Sequence, residues 1–82
     1  MATESTLLTD EWQEVASGPA TLTISTDSTD ARWIIDAPSE TPSFSGGHYV
    51  PFRGNESMVL AAGEALYARG GVGSLFYTEG EV

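Results

Sequence analysis

The residues able to do chemistry in this chain are few and scattered. Its one histidine, His48, stands beside two glycines and Tyr49. Nucleophilic catalysis needs a nucleophile, a base and an orienting group within hydrogen-bond reach. Serines are plentiful, but no nucleophile-elbow pattern surrounds any of them. A single histidine does not make a zinc site, and there is no cysteine for a thiolate site or a disulfide. Ser45-Gly46-Gly47-His48 is glycine-rich yet lacks the lysine and helix of a phosphate cradle. Asp27-Ser28-Thr29-Asp30 offers the oxygen ligands calcium takes, but acids in a turn also cap their own backbone. Paired carboxylates acting on a sugar need a cleft, and 82 residues leave little wall for one. No enzyme, metal or cofactor is expected.

The elements that would position these residues belong to one small domain. Such a chain buries only about 60% of its unfolded surface. Domains of this size often lean on disulfides, a metal or a partner. With no cysteine, the remaining support is assembly with copies of itself or with a larger protein. Twelve acids face three arginines, and lysine is absent, for a net charge of −9. That charge repels nucleic-acid phosphates and anionic membranes. It suits solubility and docking on a basic protein surface. No segment approaches the roughly 20 apolar residues of a membrane span, and no signal-peptide core is visible, so synthesis in the cytoplasm is expected.

Hydrophobic alternation gives an all-β reading. Ala20–Thr26 is the clearest strand, with Leu22 and Ile24 on one face and Thr21, Thr23 and Ser25 on the other. After the polar turn Asp27–Asp30, Arg32–Asp36 reads as its return strand in a hairpin. Two apolar runs, Leu66–Ala68 and Leu75–Tyr77, flank Gly70, Gly71 and Gly73 and read as a second hairpin, Ala65–Arg69 with Ser74–Thr78. Trp12–Ala16, Tyr49–Phe52 and Ser57–Leu60 add short strands. The expected fold is a small antiparallel β-sandwich or barrel of six to seven strands. Residues 11–79 would form its body. Met1–Asp10 would be an N-terminal arm ordered on docking, residues 80–82 a frayed tail, and Ala37–His48 a long crossover or binding loop. Leu22, Ile24, Ile34 and Leu75 are expected to share the core.

Aromatic residues are numerous for so small a domain. Adjacent residues on a strand face opposite ways, so some aromatics must stand on outer faces, where interfaces collect them. Trp12, Phe44, Tyr49, Phe52, Tyr67 and Tyr77 are the candidate interface residues.

The order of these pieces resembles small β-sandwich accessory proteins of tailed-bacteriophage virions. It runs from an early Trp12-Gln13-Glu14-Val15 strand through a Thr-rich hairpin and a Pro/Gly-rich middle. A Leu66-Tyr67-Ala68-Arg69 strand, a glycine turn and Leu75-Phe76-Tyr77 close it. The resemblance spans about residues 11–79 and rests on sheet pattern. It implies a capsid-decorating, cementing or head-fibre protein, bound to a larger virion protein as a homo-oligomer, by analogy a homotrimer, and located on the virion. The alternative is a carbohydrate- or receptor-binding module of a tail fibre.

Overall fold

The computed structural model describes residues 3–37 and 46–80. Eight strands run in chain order: β1 (Thr3–Leu7), β2 (Gln13–Ser17), β3 (Ala20–Thr26), β4 (Arg32–Asp36), β5 (His48–Tyr49), β6 (Glu56–Leu60), β7 (Ala65–Arg69) and β8 (Ser74–Gly80). They form two four-stranded sheets, here sheet I in the order β1-β8-β3-β6 and sheet II in the order β2-β7-β4-β5. Every paired strand runs antiparallel to its neighbour. The fold is the expected sandwich, with eight strands where six or seven were read. Its strand order is that of a jelly roll, in which two Greek keys share two sheets.

Neither expected hairpin exists. β3 lies in sheet I and β4 in sheet II; β7 lies in sheet II and β8 in sheet I. The turn Asp27–Ala31 and the turn Gly70–Gly73 each step across the roughly 10 Å between the sheets. Alternation fixes which side chains face inward. It does not fix the partner, and an arch between sheets buries the same apolar side chains as a hairpin. Here β8 pairs with β3 from Thr21↔Gly80 to Thr26↔Leu75, and β7 pairs with β4 from Arg32↔Arg69 to Asp36↔Ala65.

The segment expected to be an arm is also part of the fold. β1 forms the edge of sheet I against β8, from Thr3↔Thr78 to Leu7↔Ser74. Leu8, just after it, is buried in the core. The expected tail begins inside β8, which runs to Gly80. Glu81 and Val82 lie outside the described residues.

The core between the sheets is built from alternate residues. Leu22, Ile24, Met58, Leu60 and Leu75 come from sheet I, and Leu66 and Ala68 from sheet II. Ile34 was expected there but is not. On β4 it is Trp33 that packs against this core, so Ile34 faces outward. Close approach of the chain at one end requires glycine. A Cβ at Gly18 would overlap the carbonyl of Ala61, where the β2–β3 turn, through Gly18 N–H, donates to Glu64 O at 2.8 Å.

Candidate functional site

The opposite end of the sandwich carries four connections: β1–β2, β3–β4, β5–β6 and β7–β8. Two of them are tied together by carboxylates. Ser74 N–H donates to Asp27 Oδ1 at 2.8 Å, and Gly71 N–H lies 3.1 Å from both oxygens of Asp30. Ser28 Oγ donates to Asp30 Oδ1 at 2.7 Å. Thr26 Oγ1 donates to Ser74 O at 2.8 Å and accepts from Ser28 N–H at 3.0 Å. The Ser28 hydroxyl and then the Gly71 amide hold the Asp30 carboxyl below its usual pKa of 3.8. The acids of Asp27-Ser28-Thr29-Asp30 thus spend acceptors on backbone amides, as turn acids do. Gly73, at φ 108°, has no room for a side chain, since a Cβ would stand 2.7 Å from Asp27 Oδ1.

Beside this lock lies an open depression of about 470 Å³, lined by Asp27 to Asp30, Phe52, Val72 and Gly73. Phe52 is 49% exposed and Val72 81%. Phe52 is held by a bridge to Thr26, and the Arg53 guanidinium sits 5.1 Å from its ring centre. Arg53 adopts φ 57°, a left-handed conformation uncommon for a residue with a Cβ. Its N–H donates to Thr26 O, and Gly54 N–H donates to Pro51 O. The turn therefore presents an apolar ring and a cation at the rim of a hydroxyl- and carboxylate-bearing hollow. A sugar ring, or an apolar side chain with a basic end, suits such a hollow chemically.

Of the six candidate interface residues, the five described do not converge. Trp12 and Tyr67 are buried, with Tyr67 only 2% exposed. They form a second small cluster with Ala65 and Ile34, on the outer side of sheet II. Gly47 closes over this cluster, so near Trp12 and Ile34 that a Cβ there would lie 2.8 Å and 3.1 Å from them. The Tyr67 hydroxyl donates to Ala37 O at 2.8 Å, with the Glu14 carboxylate 3.3 Å away as a second acceptor. These two aromatics are interior, which corrects their assignment to a surface. Ala37, just after β4, and Gly47, just before β5, lie over them, and residues 38–45 of the expected loop lie outside the described residues.

Tyr77 packs half-buried against the main core. Burial, then Glu4 and Glu79, push its hydroxyl above the usual pKa of 10.0. Tyr49 and Phe52 are exposed at separate places. Tyr49 accepts a hydrogen bond from Arg32 Nη2 at 2.7 Å. Phe44 lies outside the described residues. His48 stacks on Trp33, ring centres 4.6 Å apart.

One surface escaped the reading from aromatics. The registers of sheet I put Ser5, Phe76 and Ser25 in one outward row, and Thr78, Thr23 and Ser57 in the next. Thr21 and Val59 follow on one side, Leu7 and Ser74 on the other. No charged side chain stands among these positions, in a chain of net charge −9. Val59 is 67% exposed and Leu7 71%. The acids of these strands, Glu4, Glu56 and Glu79, fall in the alternate, core-side rows, opposite Tyr77, Ile24 and Leu22. Sheet II differs: Glu14, Arg32, Asp36 and Arg69 occupy its outer rows with Tyr67 and Ile34. The Thr21-Thr23-Ser25 alternation showed one strand of the bare face; its extent depends on which strands flank β3.

No protein-family model, curated protein or solved structure matches the chain.

Proposed function

We propose that this chain is a virion structural protein of a tailed bacteriophage, a decorating, cementing or head-fibre module that attaches as a homo-oligomer to a larger particle protein. The observation that carries this reading is the jelly-roll strand order in a chain of 82 residues. Jelly rolls recur in viral capsid and lectin domains. The step from fold to role is analogy, and it joins the resemblance in the order of segments along the sequence. The surface chemistry supports a protein-binding role. An uncharged sheet face, an apolar pair at one end and a high negative charge are features for meeting other proteins.

The test is mass spectrometry on purified virions whose genome encodes the chain, followed by washing at rising salt. The expected result is recovery at many copies per particle, with release by salt if rim charges hold it. Absence from the particles would reject the reading.

A second reading is favoured by the hollow at Phe52. An exposed aromatic beside carboxylates and hydroxyls suits a neutral sugar, which would make the chain a carbohydrate-binding module of a tail fibre. Binding on a glycan array that disappears in Phe52→Ser would replace the first reading with the second.

A further inference from the structure

We infer that the outer face of sheet I is where two copies of this chain meet, face to face about a two-fold axis. The argument begins with charge. Two molecules of charge −9 repel each other, and contact between acidic surfaces adds a desolvation cost. Self-association is then possible only where the chain leaves its charge off the surface. The outer face of sheet I is such a place: its rows hold hydroxyls with Leu7, Phe76 and Val59, and no ionised group. The same neutrality gives a basic partner nothing to recognise there, so a second copy fits better than a positively charged protein. A patch that meets the same patch of a second copy is isologous, which makes the unit a dimer and not the trimer implied by the resemblance.

The edges do not compete for this contact. Sheet II ends in β2, interrupted by a bulge between Glu14 and Ala16, and in β5, only two residues long. Sheet I ends in β1 and β6, whose Glu4 and Glu56 stand in core-side rows. Bulges, very short strands and inward-pointing charges are how sheets blunt their edges.

Size sets the strength. Four strands about 4.8 Å apart and five to seven residues long cover roughly 400 Å² in projection. A standard stable interface buries about 800 Å² on each partner. The contact therefore belongs to the weak class, formed at high concentration or when copies are held side by side on a scaffold. The inference concerns how copies meet and does not depend on the virion reading, which recovery from virions tests separately.

The experiment is sedimentation velocity on the full chain from about 10 μM to about 1 mM, at about 0.02 M and about 0.5 M salt. Dimer is expected to grow with concentration and to be favoured by high salt, because screening removes repulsion and no attractive charge pair is lost. Val59→Asp should weaken dimerisation by about tenfold or more through like charges brought together. Ser17→Asp, an equal charge change at an exposed position of β2 on sheet II, should leave it within about twofold beyond the common effect of one added charge. Circular dichroism of both variants checks that the fold is kept. A monomer at every concentration and salt overturns the inference. So does association that salt weakens, or association lost in Ser17→Asp and kept in Val59→Asp.

Discussion

Sheets I and II share one core but face water in different ways. Sheet II carries charges outward and then hides its apolar outer residues, laying Gly47 over Trp12 and tying Tyr67 to Ala37. Sheet I carries no charge outward among the described residues and leaves Leu7 and Val59 exposed. Its outer rows interact locally, as where Thr23 Oγ1 and Ser57 Oγ lie 3.2 Å apart. A covered face contributes stability within the molecule; a bare neutral one leaves its burial to be gained elsewhere. The two sheets divide those tasks.

The sharpest way to break this comparison is at the shared core. Leu22→Ala removes a fully buried side chain and should cost about 2–5 kcal/mol, a large part of the stability of a small domain. Urea unfolding measures it, and a midpoint equal to the parent's would mean that the face of β3 is misassigned. Next comes the cover on sheet II. Tyr67→Phe keeps the ring and deletes the hydroxyl bonded to Ala37, for a loss of about 0.5–1.5 kcal/mol. The same melt reads it; an unchanged midpoint would make the cover incidental. On the bare face, Thr23→Ala should change stability by about 0.5 kcal/mol or less, since Thr23 is exposed. A loss as large as that of Leu22→Ala would show that sheet I is covered after all.

The smallest effect expected is that of acid on the lock between turns. The folded-state pKa of Asp30 is lowered, so its contribution is fully present above its unfolded value near 3.8 and is lost as pH falls through the lower folded value. Thermal melts of parent and Asp30→Asn should converge in that acid window and differ above it. A gap that persists unchanged below it would mean that the variant acts by another route.

The sequence made the faces of strands legible and left their neighbours illegible. Leu22, Ile24 and Leu75 are core residues by period-2 alternation alone, and Asp27 and Asp30 are turn residues by their chemistry. Ile34 was misplaced because Trp33, Ile34 and Ile35 are apolar in succession, and alternation gives no phase to such a run. Trp12 and Tyr67 read as outward, and they do stand on the outer side of sheet II. What closes over them is Ala37 and Gly47, a tertiary contact with no local pattern. The two false hairpins have a related cause. Glycines and acids favour a reversal, and a reversal serves an arch between sheets as well as a hairpin within one. The neutral face was hidden for the same reason, since it exists only once β1, β8, β3 and β6 lie side by side.

The pairing of β1 with β8 sets a condition on synthesis. β1 is made well before β8, its one neighbour among the described strands. At about 5–20 residues per second, Ser5 waits roughly 4–14 s before Phe76 is even joined to the chain. An unpaired strand rich in valine and isoleucine would spend that interval as a template for aggregation. Thr3-Glu4-Ser5-Thr6-Leu7 is instead polar, with one charge and a single large apolar residue at its end. The composition that gives this segment the look of a loose arm is what keeps it harmless until its partner arrives.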